Sequence, residues 1–232
     1  MKIVEASAIL ENPFKEFITD EQYMVQQLKH IERIARTCYK SEGNVTDESY
    51  IPMIRSLIRR GHEAMLEHGS FSVRFIVDRG VSHEIVRHRV ASFAQESTRY
   101  CNYNKDKFGN EITVIKPFFW KEDSEQYKIW KDACETCEAG YNKLLVKQLV
   151  DEVAFELATP QEARSVLPNS LKTEIVMTAN FREWRHFFKL RAEGETGKPH
   201  PQMLEVAVPL LNYVKSICPV GFEDIIAEDI NE

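Results

Sequence analysis

The stretch Arg87-His88-Arg89-Val90-Ala91-Ser92-Phe93-Ala94-Gln95-Glu96-Ser97-Thr98-Arg99 gathers three guanidiniums, an imidazole, the hydroxyls of Ser92, Ser97 and Thr98, and the Gln95 amide. Each guanidinium offers a planar fork of donors that fits phosphate oxygens two at a time, and hydroxyls complete such a cradle at shorter reach. Arginine-rich segments are commonly solvated faces laced with ion pairs. That reading fits poorly, because Glu96 is the only acid in the stretch. The residue types therefore point to a phosphate-bearing ligand, a nucleotide above all.

The surrounding chain sharpens this. Thirty Lys and Arg against thirty-six Asp and Glu give a formal charge of −6 over 232 residues, so positive charge is local. A basic domain that binds nucleic acid nonspecifically is disfavoured. With 43% apolar and 28% charged residues, the composition is that of an ordinary globular protein, and residues 1–232 are expected to form a single catalytic domain. Residues 1–10 show no apolar run behind a basic start, and no stretch of about eighteen apolar residues occurs, which points to the cytoplasm and away from a membrane. The cysteines, at 38, 101, 134, 137 and 218, are odd in number and scattered, as expected of reduced thiols. Cys134 and Cys137 make a lone CxxC inside a helical pattern, with no second pair to complete a zinc site.

The elements that must position these groups follow from periodicity. Met24, Leu28, Ile31, Ala35 and Cys38 recur at helical spacing over 21–39, and Ile54, Leu57 and Ile58 mark a helix bounded by Asp47 and Gly61. Phe71, Val73, Phe75 and Val77 alternate as a half-buried strand. Ser82 is expected to cap a short helix carrying Glu84, Arg87 and His88, with the arginine-rich motif continuing from it to Tyr100. A strand over 112–118 and a long helix over 123–150 come next. Thr159-Pro160 with Glu162 reads as a helix start that presents Arg164 before Pro168. Leu171, Thr173, Ile175 and Met177 form a further strand, and Asn180 can cap a helix bearing Arg182, Arg185, His186 and Arg191. A last helix covers 201–217, with Pro209 as a kink or a break.

Metal and nucleophile chemistries lack the required spacing. His83 and His88 are five residues apart, about 140° round a helix, and His62 and His68 about 120° apart, so neither pair shares one ion; no metal is expected. Neither GxGxxG, GxxxxGK[ST] nor a GxSxG elbow occurs.

The spacing Arg87-His88-Arg89, two residues, Ser92, four residues, Ser97, one residue, Arg99 resembles the RHRxxSxxxxSxR signature of flavin-dependent thymidylate synthases, the ThyX family. Further segments extend the likeness: residues 35–39, Gly61-His62-Glu63 with Glu67-His68, 164–168, Asn180-Phe181-Arg182 and Leu190-Arg191-Ala192. The resemblance implies an α+β chain of the ThyX-type fold, with an antiparallel or mixed sheet flanked by long helices. It also implies a homotetramer with FAD bound where subunits meet. Such enzymes move a methylene from methylenetetrahydrofolate to C5 of dUMP and reduce it to the methyl of dTMP with hydride from NADPH, without a cysteine nucleophile.

By the same resemblance, Arg191 is the catalytic cation set against the pyrimidine. A fixed positive charge in a partly desolvated pocket favours the uracil anion and makes C5 electron-rich. The implied FAD positions are His62, Ala64, Glu67, Arg87, His88, Arg89, Gln95, Asn180, Phe181, Arg182 and His186. Those implied for dUMP are Glu84, Ile85, Val86, Arg87, Gln95, Glu96, Ser97, Thr98, Arg99, Arg164 and Arg191. Asn180 has a double reading as cap and flavin contact, and His186 could equally be a core histidine. Ala64 and Cys38 stand where relatives carry hydroxyls, and Glu84 where some carry Gln. Two rival readings remain at this level: a flavoprotein acting on a different uracil or another substrate, and an arginine-rich RNA-binding module.

Overall fold

The computed structural model describes residues 1–145, 147–150, 153–156 and 158–228. In chain order its elements are β1 (Lys2–Val4), β2 (Ser7–Glu11), α1 (Asp20–Thr37), α2 (Tyr50–Arg59), β3 (Ser70–Asp78), α3 (Arg79–Ile85), β4 (Ala91–Gln95), β5 (Thr113–Ile115), α4 (Glu125–Leu145), β6 (Lys147–Val150), β7 (Val153–Glu156), α5 (Pro160–Ala163), β8 (Lys172–Asn180), α6 (Phe181–Phe188), α7 (Pro201–Ile217) and α8 (Pro219–Phe222). Four strands pair in the order β2-β3-β8-β4, while β1 lies parallel to β5 and β6 antiparallel to β7. The fold is α+β with mixed sheets and long helices, as expected.

Two compact units emerge. The first comprises Met1–Ser7, Ile76–Ile85 and Ala94–Ile175. Its core collects Tyr103, Ile112, Val114, Cys134, Tyr141, Ala163 and Leu171 around α4 and β5. The second comprises Ala8–Phe75, Val86–Phe93 and Val176–Glu232. There Phe71 stacks on Trp184 at 4.9 Å between centroids, and Phe75, Phe181, Phe187, Phe188 and Phe222 complete an aromatic core. Such rings bring large buried area and favour offset or edge contacts.

Local chemistry explains most boundaries. Thr19 and Gln22 form a reciprocal capping box at the start of α1, and Thr159 with Glu162 does the same at α5. Gly61, at φ +69, turns the chain out of α2, a conformation only glycine adopts freely. Helix α7 continues through Pro209, so the break does not occur.

Four expectations need correction. Ser82 does not cap α3: Asp78 Oδ1 accepts from the Val81 amide at 2.7 Å, and buried Ser82 donates to the Arg79 carbonyl. Arg87 and His88 do not lie on that short helix, because α3 ends at Ile85, and residues 91–95 of the motif become strand β4 beside β8. Sheet pairing there overrides the helical preference of alanine and glutamine. Helix α4 stops at Leu145 rather than at 150, and β6 begins at Lys147; residue 146, also within that expected helix, lies outside the described residues. The fifth strand spans only Thr113–Ile115, not 112–118.

Candidate active site

In the first unit, strand β3 ends at Asp78 and delivers Arg79 at the start of α3. The Arg79 guanidinium donates to Thr173 Oγ1 at 3.0 Å and to the Glu96 carbonyl at 3.4 Å. Gln95, at the end of β4, donates its amide to Ser82 Oγ at 3.0 Å and to Thr173 Oγ1 at 3.3 Å. Beyond the α5 capping box, Arg164 donates to the buried Thr98 hydroxyl at 3.3 Å. Arg79, His83, Thr98, Arg164, Ser165 and Asn169 line a cavity of about 420 Å³. Arg99 donates to the Gln161 amide oxygen at 2.9 Å, and its own amide donates to Ser97 Oγ at 3.3 Å.

These partners share one property. They are hydroxyls, carbonyls and amides, and among the described residues no carboxylate forms an ion pair with Arg79, Arg99 or Arg164. The guanidiniums are oriented yet keep their charge, which is what an anion site requires. Glu96 does not spoil it. Its carboxylate accepts from the Tyr103 hydroxyl at 2.8 Å and pairs with Lys172 at 3.0 Å. The Glu96 backbone is tied as well, its amide donating to the Glu174 carbonyl at 2.8 Å and its carbonyl accepting from Arg79.

In the second unit, Asn180 Oδ1 accepts from the Glu183 amide at 2.8 Å and opens α6, as the sequence suggests. Around that helix start lies a cavity of about 490 Å³ lined by Glu63, Glu67, Val90, Asn180, Arg182, Glu183, Arg185, His186, Lys189 and Glu195. Arg182 donates to Glu67 at 2.6 Å and lies 3.7 Å from Glu63. Arg185 is buried, with its guanidinium on Asp224 at 2.8 and 2.6 Å and on the Gly221 carbonyl at 2.7 Å.

His88 is the buried member of the arginine-rich motif, at 3% exposure. Its Nδ1 lies 3.0 Å from Glu183 Oε1, and its Nε2 accepts from Arg191 Nε at 3.3 Å. Arg191 sits in a π-helical turn, Lys189–Glu193, that follows α6 directly. Such turns re-aim side chains and recur at functional sites. Burial, then the neighbouring Arg191 and His186 charges, push the His88 pKa down to about 4. Burial also raises the Glu183 carboxyl above its usual range. His88, Glu183 and His186 bring ligand atoms within 4.8 Å of one another. Both ring nitrogens of His88 are already engaged, however, and a guanidinium adjoins them, so the cluster is arranged as a hydrogen-bonded chain.

The sequence-derived positions thus divide. His88, Asn180, Arg182, His186, Glu67 and Arg191 gather around α6, with His62 and Ala64 exposed nearby in the chain. Gln95, Ser97, Thr98, Arg99 and Arg164 gather in the first unit. Arg87, Arg89 and Val86 are exposed, and Glu84 is half-buried. Ile85 and Phe181 are fully buried, and the Phe181 amide donates to the Gly69 carbonyl at 3.0 Å. His200 is exposed at the start of α7, and Cys134 is buried with its thiol pushed up to about 11, an unreactive state. Arg79 and Glu183 were not among the sequence candidates. A basic residue closing a strand and an acid three residues before His186 were the available signals.

A family model described as thymidylate synthase complementing protein matches residues 21–220. The flavin-dependent thymidylate synthase of Corynebacterium aurimucosum is 31% identical over 84% of this chain and 78% of its own length. That of Geobacter sulfurreducens is 30% identical over 82% of this chain and 78% of its own, and the Mycobacterium tuberculosis protein is 30% identical at 84% and 78%. Among solved structures, a UMP/dUMP methylase PolB from Streptomyces cacaoi bound with 5-Br dUMP superposes with a TM-score of 0.71 at 20% identity, covering 96% of both chains. That likeness establishes the fold. Because the family match runs through both units and takes in the arginine-rich motif, the cap at Asn180 and the turn carrying Arg191, the chain belongs to the flavin-dependent thymidylate synthase family.

Proposed function

We propose that this chain is an FAD-dependent enzyme that converts dUMP to dTMP, with methylenetetrahydrofolate as carbon donor and NADPH as reductant. The observation that carries the reading is the first-unit cavity, where Arg79, Arg164 and Thr98 converge and, among the described residues, no carboxylate pairs with either guanidinium. A phosphomonoester dianion is the ligand such a site favours. Gln95, Ser97 and Arg99 extend the polar surface toward a sugar and base, and Glu84, Ile85, Val86 and Arg87 are assigned to the same nucleotide.

The second-unit cavity suits a dinucleotide by its donor set. Arg182, Lys189 and the start of α6 can meet a pyrophosphate, while Glu63 and Glu67 can accept from ribityl or ribose hydroxyls. His62, Ala64, Arg87, Arg89, Gln95, Phe181 and His186 join this assignment. When bound, FAD supplies hydride from NADPH. The protein's own part is electrostatic: Arg191 stabilises negative charge on the pyrimidine as its N3 proton leaves. No cysteine enters the reaction in this reading.

We further assign residues 1–232 to one catalytic domain, which the 21–220 match supports, and the active enzyme to a homotetramer with sites at subunit interfaces. Exposed Arg87 and Arg89, without ion pairs among the described residues, suit ligand held at such an interface. No helix among the described residues is long and apolar enough to cross a membrane. Five free cysteines fit a cytoplasmic setting.

The test is release of the C5 hydrogen from labelled dUMP by purified, flavin-loaded protein, with UMP as a parallel substrate. The expected result is release and dTMP formation that require both methylenetetrahydrofolate and NADPH. Absence of release with dUMP would refute the proposal, and release with UMP alone would move it to a different uracil nucleotide.

A further inference from the structure

We infer that Glu183 is a positioning residue: its carboxylate fixes the tautomer of His88, and His88 in turn holds the Arg191 guanidinium in the orientation it presents to substrate. The inference rests on the reading of Arg191 as the cation that faces the pyrimidine, and it assigns a role to an acid that the motifs do not mark.

The direction of each hydrogen bond follows from elementary bonding. Arginine Nε–H can only donate, so at 3.3 Å from Arg191 the His88 Nε2 must accept. An imidazole that accepts at Nε2 and is neutral carries its proton on Nδ1. That proton points at Glu183 Oε1, 3.0 Å away. The opposite tautomer would set N–H against N–H at Arg191 and leave a lone pair facing a carboxylate. The doubly protonated ring fails at the same place.

Geometry makes this chain rigid. Glu183, His186 and Phe187 lie on one turn of α6, at spacings of three and four residues, and all three meet His88. The Phe187 ring lies 5.0 Å from the His88 ring and the His186 ring 5.7 Å, centroid to centroid. Glu183 is itself held, because its amide is the one that Asn180 caps. Arg191 enters from the π-helical turn that continues the same helix. Helix α6 therefore supplies both the clamp on His88 and the approach of the residue His88 holds. The charged and titratable groups around the ring are Glu183, His186 and Arg191. With burial opposing the imidazolium, the ring stays neutral through the physiological range, which keeps Nε2 available as an acceptor.

Glu183→Gln tests the relay. The amide keeps the shape but can donate as well as accept, so the carboxylate no longer demands a proton on Nδ1, and the tautomer protonated on Nε2, which breaks the contact to Arg191 Nε, becomes accessible. Small displacements of a reacting or charge-stabilising group cost up to about 100-fold in rate. We expect kcat for dUMP to fall about 10- to 100-fold, with bound flavin and KM for dUMP changed by less than about threefold, and Glu183→Asp to recover part of the loss. The tautomer is read directly on wild-type, flavin-loaded protein from the ¹⁵N shifts of labelled histidine. The expected pattern is protonated Nδ1 and unprotonated Nε2 at His88, lost in Glu183→Gln. A proton on Nε2 in the wild type overturns the inference whether or not the variant folds, and so does Glu183→Gln turnover within about twofold of wild type. Wild-type protein inactive on dUMP would instead defeat the functional reading, leaving the tautomer measurement to judge the contact.

Discussion

Removing Arg164 should cost nucleotide recognition and nothing else, and the size of the loss can be worked out beforehand. The side chain is exposed, and among the described residues its hydrogen bond is the 3.3 Å contact to Thr98. Arg164→Ala should therefore shift unfolding stability by no more than about 0.5 kcal/mol. A charge-assisted hydrogen bond to a phosphate contributes about 1.5–3 kcal/mol, and solvent access through an open cavity favours the lower part of that range. Taking about 2 kcal/mol, kcat/KM for dUMP should fall about 30-fold.

The phosphate is isolated as the cause by changing the substrate as well as the enzyme. Deoxyuridine lacks the phosphate, so Arg164→Ala should alter its kcat/KM by less than about threefold, and the coupling between the two changes should equal about 2 kcal/mol. Initial rates of C5 hydrogen release supply all four corners. Where deoxyuridine turns over too slowly, its Kd by calorimetry serves. Equal losses with both substrates would mean that Arg164 acts by supporting the fold of the site, and no loss with either would place the phosphate elsewhere. Arg164→Lys should recover part of the affinity, because a point charge replaces the fork without its geometry.

Three other measurements bear on the same structure. Arg191→Ala should lower turnover far more than it lowers the flavin content of the purified protein, since Arg191 is assigned to charge on the pyrimidine; unchanged turnover would remove it from the mechanism. His88 should make stability fall as pH is lowered: the unfolded chain takes up a proton near 6.5 and the folded ring resists until about 4, so about 2 kcal/mol is lost between pH 7 and pH 5. Glu183, with its carboxyl raised, works in the opposite sense as pH falls toward 4.5, so the quantity to compare is the difference between wild type and His88→Gln in denaturant midpoints at the two pH values; identical slopes would contradict the buried neutral ring. Gly69→Ala should destabilise by about 1–3 kcal/mol through overpacking, because a Cβ there would stand 2.7 Å from Ile31 Cδ1 and 3.2 Å from Phe181 in ordinary extended backbone; an unchanged thermal midpoint would show that Ile31 can yield.

What the sequence made legible were features encoded locally. The Asn180 cap, the Thr159–Glu162 box and the alternation that became β3 and β8 each need only a few neighbouring residues. Where two residues competed for one role, local chemistry could not decide: Asp78 and Ser82 are both good caps, and only the direction in which β3 delivers the chain selects Asp78. The stretch that became β4 lacks strand alternation and is recruited by its sheet neighbour, a long-range effect. The edges β1 and β2 are too short to show a period. Glu183 escaped notice because an acid between Arg182 and Trp184 reads as a solvated helix position. Only the helical phase, with Trp184, Phe187 and Phe188 all inward, turns it toward the core.

The two groups of arginines illustrate why counting basic residues says less than asking what each one faces. Around α6 the guanidiniums have acids beside them: Arg182 faces Glu67 and Glu63, and Arg185 faces Asp224. A ligand there exchanges one set of partners for another, so it must bring hydroxyls to the carboxylates as well as phosphates to the cations. A dinucleotide does both. Around Thr98 and Thr173 the guanidiniums face neutral oxygens. Their orientation is fixed in advance while their charge stays uncompensated, so an incoming dianion displaces no competing anion. In a chain of net charge −6, such a site is a local concentration of positive charge. Specificity for a small nucleotide then comes from the placement of a few unneutralised cations, and recognition of long nucleic acid, which needs an extended basic face, does not follow from the same residues.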